Sequence, residues 1–344
     1  MIGPATEAIR RARSVAVTSH IQPDGDALGS TLGMLRALRE AGKEARAISP
    51  SHVPSGFTFM LDHPDEVVRY DPERDDPVLE AADLCLILDC ASLERAGEVG
   101  EKMAELGRPM VMIDHHTTNE AFGTWNYIVH EASSTAALCV DILDELGFPL
   151  TLPVSVPLYI GILTDTGNFN YPSTTPVTHE KAARLLNAGV NPYEIHRKLA
   201  LDRSTDFIRL AGLSIFNVQF SRSREIAYTV VGHEIFRRFH PRVDELVMLP
   251  PYLISIRDVE VGILFLEYEP GKILVELRSQ GLINVATLAK SHGGGGHSGA
   301  AGVRCQGEMS DIVQQIVQDA GVRLELAHSQ GDEETRRDLI WRRV

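Results

Sequence analysis

Short apolar runs alternate with stretches of helical periodicity through the first 200 residues. Val15–Thr18, Asp83–Leu88 and Pro109–Ile113 are predicted as buried strands, because each is a brief apolar run bounded by polar or turn residues. Between the first two, four leucines from residue 28 to 38 recur at the period of a helix, and helical stretches follow at 99–106 and 134–146. Strands that alternate with helices predict an α/β domain, a parallel sheet with helices on both faces.

The pattern changes from residue 226 onwards. Segments 226–231, 261–268 and 272–279 are predicted as strands, and Met309–Asp319 as an amphipathic helix, which indicates a smaller α+β domain. We place the first domain at 1–195, a helical connector at 196–220, the second domain at 221–328 and a charged tail at 329–344.

The composition argues against some classes of binding partner. The chain is 44% hydrophobic and 23% charged, as is ordinary for a globular protein, and its net charge is −14. Because long nucleic acids are bound by neutralising many phosphates, this acidity argues against such a partner. No apolar run approaches the roughly 20 residues that span a bilayer, so no membrane partner is expected. Four scattered cysteines without a CxxC pair, and no secretory apolar region at the N-terminus, predict a cytoplasmic location.

Four clusters of aspartate and histidine carry the candidate chemistry. They are SHIQPDGDA at 19–27, Asp89 after the second predicted strand, the Asp-His-His triplet at 114–116, and Asp165 in LTDTGNF. Taken alone, each is also explained by a turn or a helix cap. Taken together, they converge on the carboxyl edge of one sheet, where α/β proteins bind ligands. Carboxylates and imidazoles without cysteine suit manganese, magnesium or a related divalent ion better than structural zinc.

The clusters offer more ligands than one ion with an open coordination position would use. Two ions that share a carboxylate would use them all, and would explain why Asp24 and Asp26 lie two residues apart. Two-metal sites of this kind catalyse phosphoryl displacement.

A glycine-rich run, GGGGHSGAAG at 293–302, is either a flexible linker or an anion cradle. Apolar sequence on both sides favours the cradle, in which glycine backbone N–H groups close on a phosphate and His297 adds a donor. Arg278 and Ser279, at the end of a predicted strand, are further candidate phosphate donors.

The set SHIQPDGDA, ILDC, IDHH and LTDTGNF resembles the four motifs of the DHH phosphoesterase superfamily, in order and in spacing. The LRS and GGGGHSGAAG pair resembles its DHH-associated C-terminal domain, so that the resemblance spans residues 14–325. The chain is most similar to the nanoRNase/pAp phosphatase branch, which cleaves very short oligonucleotides and adenosine 3′,5′-bisphosphate (pAp) with manganese. RecJ-type exonucleases share the motifs but are usually longer, and family II pyrophosphatases share the first domain but lack a second domain of the GGGGH type.

The resemblance implies a role for each motif residue. His20, Asp24 and Asp89 would hold one ion, and Asp26, Asp89, His115 and Asp165 the other, with Asp89 bridging. His116 would face the scissile phosphate and Asp114 would orient the histidines. The substrate-binding set would be Arg278, Ser279, Gly294, Gly295, Gly296 and His297, with Arg95 as a further candidate. Manganese is the first choice of metal, with magnesium or cobalt as alternatives.

The expected activity is therefore hydrolysis of short oligonucleotides and pAp to mononucleotides. One alternative is a phosphodiesterase of linear or cyclic dinucleotide second messengers. Another is a nucleotide-sensing module without catalysis, which the loss of a ligand would signal, although all six candidate ligands are present. Processive exonuclease action is disfavoured by the negative charge. A homodimer is a further expectation of the resemblance.

Overall fold

The computed structural model describes residues 2–201, 203–239, 246 and 248–330, without the side chains of His297 and Gln330. Residues 331–344 of the predicted charged tail lie outside the described residues. The chain divides into two compact units, residues 1–202 and residues 203–344. The division falls within the predicted connector at 196–220.

The first unit contains fourteen described elements of regular structure besides short 3-10 turns at Ser55–Met60 and Glu94–Ala96. They are α1 (Ile2–Arg11), β1 (Ser14–Thr18), α2 (Gly25–Glu40), β2 (Glu44–Ser49), β3 (Val67–Arg69), α3 (Pro72–Ala81), β4 (Leu84–Leu88), α4 (Gly97–Glu105), β5 (Met110–Asp114), β6 (Trp125–Ile128), α5 (Thr135–Leu146), α6 (Leu152–Asp165), α7 (Pro176–Asn187) and α8 (Pro192–Ala200).

Its six strands form one sheet in the order β3-β2-β1-β4-β5-β6, and every neighbouring pair is parallel. The predicted parallel α/β domain is therefore confirmed. Chain order reverses direction between β1 and β4, and α/β sheets bind ligands in the crevice that opens beyond the carboxyl ends of such strands.

Helices cover both faces of this sheet, so the central strands are buried on both sides. In β4, Leu86 packs into the cluster that contains the apolar residues of α2, α5 and α6, whereas Cys85 and Ile87 pack into the cluster of α3 and α4. A strand buried on both faces reads as a continuous apolar run, which is why its sequence predicts it well.

A stripe of glycines brings α2 against α6. Gly25, Gly29 and Gly33 recur every four residues, and a Cβ at any of them would collide with α6, at Gly29 with the backbone oxygen of Pro157. Since only glycine permits this approach, the stripe fixes the separation of two helices whose ends carry candidate ligands.

The second unit contains a mixed sheet. Its described elements are α9 (Thr205–Phe216), β7 (Gln219–Phe220), β8 (Ile226–Val231), α10 (His233–Phe239), α11 (Leu249–Ile254), β9 (Val261–Glu269), β10 (Lys272–Ser279), α12 (Val285–Ser291), β11 (Gly295–His297), β12 (Ala300–Gln306) and α13 (Met309–Gln330). The strand order is β11-β12-β10-β9-β8-β7, parallel between β8 and β9 and antiparallel elsewhere. This confirms a second, α+β domain, although the last helix is longer than the predicted 309–319.

In the described parts of both units, we find no helix long and apolar enough to cross a membrane. All four cysteines are free thiols.

Candidate active site

Three neighbouring strands deliver the first candidate residues to one edge of the sheet. His20 lies two residues beyond β1, Asp89 follows β4 directly, and Asp114 ends β5. Because β1, β4 and β5 are adjacent and parallel, these residues share the carboxyl edge. Asp26 in the first turn of α2 and Asp165 at the end of α6 reach the same place, so the structure brings the four predicted clusters together.

His20, Asp24 and Asp89 form one group of potential ligands, with ligand atoms all within 4.8 Å of one another. In the neutral His20 ring, Nδ1–H donates to the carbonyl of Ile21 at 2.8 Å. The lone pair of Nε2 then faces Asp89 Oδ2 at 3.6 Å and Asp24 Oδ2 at 3.9 Å. A lone pair opposite two carboxylates needs a positive charge between them, which a proton or a metal ion supplies.

Asp26, His115 and Asp165 form a second group of the same kind. His115 Nε2 lies 3.4 Å from Asp165 Oδ2, 3.7 Å from Asp89 Oδ1 and 4.0 Å from Asp26 Oδ2. Its Nδ1 is 3.3 Å from the carbonyl of Ala132, to which it donates. The Nε2 atom is buried and has no hydrogen-bond partner in the described structure. An orphaned buried nitrogen that faces three carboxylates fits a divalent cation.

The two aspartates of SHIQPDGDA act differently. Asp24 is the N-cap of α2 and accepts the backbone N–H groups of Asp26 and Ala27, both at 3.0 Å. Asp26 is 1% exposed and accepts the N–H groups of Thr135 at 2.6 Å and Ala136 at 2.8 Å, at the start of α5. Burial, followed by the charges of Asp89 and other carboxylates, raises the pKa of Asp26 well above its ordinary value.

The crowding of charged groups shifts the pKa values of Asp165 and Asp89 in opposite directions. Burial, followed by the charge of Asp89, raises the pKa of Asp165 well above its ordinary value. Burial also opposes ionisation of Asp89, but contact with His20 and the charges of His116 and His115 hold its pKa below its ordinary value. Asp89 has a φ of 54°, a left-handed conformation that aspartate tolerates better than most residues. Of the carboxylates, Asp89 is thus the one placed among all three histidines.

Asp114 lies behind the histidines and is completely buried. It accepts a hydrogen bond from His116 Nδ1 at 2.6 Å and from Asn119 Nδ2 at 2.5 Å. Burial disfavours protonation of His116, but the Asp114 hydrogen bond and the charges of Asp89 and Asp114 outweigh it and raise the pKa of His116 to about 9. His116 Nδ1 also lies 3.6 Å from Asp89 Oδ1, but its short bond to Asp114 engages that nitrogen.

Arg95 lies beside this edge of the sheet. Its backbone carbonyl accepts the N–H of Ile21 at 2.7 Å, next to His20. Burial and the charge of Arg95 oppose protonation of His20, but contact with Asp89 and the charge of Asp24 outweigh them and raise the pKa of His20. The side chain is half-buried and makes no hydrogen bond or ion pair within the described residues. A cation of this kind near a metal-ligand cluster suits a phosphate.

The remaining predicted residues lie in the second unit. Arg278 Nη1 donates to the carbonyl of Leu277 at 2.9 Å and lies 3.6 Å from Glu276 Oε2. The Ser279 hydroxyl donates to Glu260 Oε1 at 3.1 Å, so its proton is engaged in this conformation.

Within the glycine run, Gly295–His297 forms the edge strand β11, which pairs with β12. A Cβ at Gly294 would collide with the carbonyl of Gly302, and one at Gly296, where φ is +147°, would lie 2.5 Å from the carbonyl of Ala300. Gly295 has open space around it. Close packing therefore explains two of the three predicted glycines, whereas the side chain of His297 lies outside the described residues.

Residues 14–162 match the DHH family, N-terminal domain, and residues 237–320 match the DHHA1 domain. A Thermus thermophilus protein named "Bifunctional oligoribonuclease and PAP phosphatase NrnA" is 30% identical over 318 residues, covering 92% of this chain and 91% of the relative. The chain belongs to the DHH family. The resemblance drawn from the motifs is thereby confirmed, and DHH proteins are metal-dependent phosphoesterases.

Two further matches extend across both units of this DHH protein. A Bacillus subtilis protein of the same name is 27% identical over 294 residues, covering 84% of this chain and 88% of the relative. The crystal structure of an exopolyphosphatase-related protein from Bacteroides fragilis superposes with a TM-score of 0.87 at 27% identity, covering 94% of this chain and 97% of that one.

Two residues that contact candidate residues of the DHH site lie outside the four sequence motifs. Thr135 hydrogen-bonds Asp26 and Asp89, and Asn119 holds Asp114. Thr135 begins a helix and Asn119 lies in a loop, where polar residues are common. Only the need of a buried carboxylate for hydrogen-bond donors could have indicated them, and the sequence alone does not show which donors lie near it.

Proposed function

We propose that this DHH protein hydrolyses oligonucleotides of about two to five nucleotides, and pAp, to mononucleotides. The observation that carries the proposal is the complete set of six aspartate and histidine ligands in a chain that matches, over both domains, relatives named for these two activities. A nucleotide-sensing module without catalysis would have no need to retain all six.

We assign the two ligand groups to two divalent ions. His20, Asp24 and Asp89 would hold one, and Asp26, His115 and Asp165 would hold the other together with Asp89. The orphaned Nε2 of His115 and the lone pair of His20 that faces two carboxylates support this assignment. Oxygen and imidazole donors suit manganese first, with magnesium or cobalt as alternatives. When bound, such ions supply the Lewis acidity that phosphoryl displacement requires.

His116 is the group we assign to the leaving oxygen of the scissile phosphate. Asp114 accepts from Nδ1, which fixes the ring orientation and assigns Nε2 to the substrate side. The carboxylate also favours the protonated ring, so the imidazole holds a proton that it can donate to the departing oxygen. Asn119 in turn holds Asp114, and the three residues form one buried chain of hydrogen bonds.

Arg95 and the second unit are the proposed substrate-binding elements. Arg95 lies near the proposed ions, because its backbone carbonyl accepts the N–H of Ile21 and its charge acts on His20, and its guanidinium is our candidate for contact with a phosphate there. For the distal phosphate or nucleotide we propose Arg278, Ser279, Gly294, Gly295, Gly296 and His297. The edge position of β11 supports this, because one side of its backbone pairs with no strand among the described residues.

The test is a substrate panel with the purified chain in Mn²⁺, Mg²⁺ or Co²⁺. It compares pAp, dinucleotides, five-mers, long single strands, cyclic di-AMP and pyrophosphate, with Asp89→Asn as the inactive variant and the exposed Asp65→Asn as its control. We expect pAp and the short oligonucleotides to be cleaved fastest, with Mn²⁺ most effective. Preferential cleavage of cyclic di-AMP or of long strands would overturn the substrate assignment, and binding without turnover would establish a sensor. Homodimerisation stays a prediction, tested by light scattering.

A further inference from the structure

Thr135 contacts two of the proposed ligands that come from different parts of the chain. Its hydroxyl donates to Asp89 Oδ1 at 2.9 Å, and its backbone N–H donates to Asp26 Oδ2 at 2.6 Å. Asp26 belongs to α2 and Asp89 follows β4, so neither element fixes the other carboxylate directly. Thr135 is completely buried, which excludes solvent as a competing partner for these bonds.

The start of α5 holds Thr135 in place. Ser134 is the N-cap, and its side chain accepts the N–H of Ala137 at 3.0 Å. The N–H groups of Thr135 and Ala136 belong to the first turn, where backbone donors lack helical partners and a negative charge is stabilised. Asp26 occupies that position with both oxygens. The donor positions are therefore set by the helix and not by a flexible loop.

The oxygens that Thr135 holds are the ones that face His115. Asp89 Oδ1 lies 3.7 Å from His115 Nε2 and Asp26 Oδ2 lies 4.0 Å from it. The other oxygen of Asp89, Oδ2, faces His20 at 3.6 Å. The Thr135 hydroxyl thus holds the Oδ1 atom of Asp89 on the side of His115, which leaves Oδ2 on the side of His20.

We propose that Thr135 is a positioning residue that aligns Asp26 and Asp89 for the ion held with His115 and Asp165, and so sets the affinity of that ion. The inference rests on the proposed two-ion site, but it concerns metal binding and requires no substrate. Residues that orient metal ligands typically change metal affinity by about 10- to 100-fold when replaced.

The test is a titration of the metal-free full chain with Mn²⁺, in which electron spin resonance measures the concentration of free Mn²⁺ at each step. Thr135→Val removes the hydroxyl, keeps the backbone N–H and nearly keeps the volume, whereas Thr135→Ser retains the donor. The control is Thr229→Val in the second unit, since Thr229 is also buried and its hydroxyl donates to the carbonyl of Ser214 at 3.0 Å. We expect Thr135→Val to weaken one ion by about 10- to 100-fold and the other by less than about 3-fold, and Thr135→Ser to restore the first.

Wild-type affinity for both ions in Thr135→Val would overturn the proposal, and so would equal weakening of both ions. Circular dichroism checks that each variant is folded, and Thr135→Ala carries the same expectation if the valine variant does not fold. A failed substrate panel with normal Mn²⁺ binding would refute the proposed function and leave this inference intact, so the two failures are distinguishable.

Discussion

Replacing Asp114 by asparagine tests the role of the carboxylate that holds His116. The Asp114 carboxylate accepts three N–H groups: His115 backbone N at 2.9 Å and His116 Nδ1 at 2.6 Å on Oδ1, and Asn119 Nδ2 at 2.5 Å on Oδ2. An asparagine has a single acceptor oxygen, so its amide group must face at least one of these donors. The substitution therefore removes one acceptor and one negative charge and leaves the volume almost unchanged.

The expected loss of stability follows from the burial of Asp114. A hydrogen bond to a charged partner contributes about 1.5–3 kcal/mol, and a buried donor left without an acceptor costs about 1–3 kcal/mol. Because Asp114 is completely buried, water cannot replace the lost acceptor, and we expect Asp114→Asn to lower the free energy of unfolding by about 2–4 kcal/mol. The loss of the charge that favours protonated His116 should lower kcat by about 10²- to 10⁴-fold, the usual contribution of a general acid.

The assay compares kcat and KM on pAp, manganese content, and the urea midpoint for Asp114→Asn, His116→Gln and the double variant. If Asp114 acts through His116, the double variant has the kcat of His116→Gln alone, because the two residues work as one unit. KM and bound manganese should change by less than about 3-fold, since Asp114 is not assigned to either ion. Rate losses that multiply in the double variant would refute this reasoning.

Three further predictions test other parts of the site. Asp89→Ala should stay folded and lose both ions and all activity; two ions at wild-type occupancy, measured by mass spectrometry of the metal content, would show that Asp89 does not bridge. Arg278→Ala and His297→Ala should raise KM for pAp and dinucleotides but not for bis-p-nitrophenyl phosphate, and equal losses on both substrates would contradict a remote binding role. In the metal-free protein, the raised pKa of His116 means that its pairing with Asp114 stabilises the fold fully below pH 6.5, and that this stability disappears as the pH rises through about 9. The difference in urea midpoint between wild type and His116→Gln should therefore shrink over that range, and a constant difference would contradict it.

The strands that carry the site follow from the sequence because they are buried on both faces. The runs before Asp89 and Asp114 are continuous and apolar, and their observed ends lie within a residue of the predicted ones. Parallel neighbours then bring the following polar residues to one edge. By contrast, β2 mixes charged and apolar residues, with exposed positions at Glu44 and Arg46, so that the apolar-run criterion misses it.

The roles of several site residues depend on tertiary contacts, which the sequence does not show. A local reading of SHIQPDGDA offers a turn or a helix cap and does not separate the roles of its two aspartates. In the structure Asp24 caps α2, whereas Asp26 accepts from the start of α5, more than 100 residues away. Periodicity places α5 correctly but does not show that Thr135 meets two carboxylates. Gly295–His297 in the glycine run likewise forms a strand because β12 lies beside it, and a local sequence pattern does not show this pairing.

The glycine stripe of α2 limits the distance between two of the proposed metal ligands. Asp26 stands at the start of α2 and Asp165 at the end of α6, so the gap between these carboxylates follows the distance between the two helix backbones. Gly161 of α6 completes the contact, since a Cβ there would lie 2.8 Å from Asp26 Oδ1. A methyl group added at Gly29 would push α2 away from the α6 backbone, and one at Gly161 would also displace Asp26 Oδ1, so either change would alter the distance between the two carboxylates. If Asp26 and Asp165 hold one ion as proposed, the spacing of the α2–α6 pair limits the radius of that ion, although none of the glycines is itself a ligand.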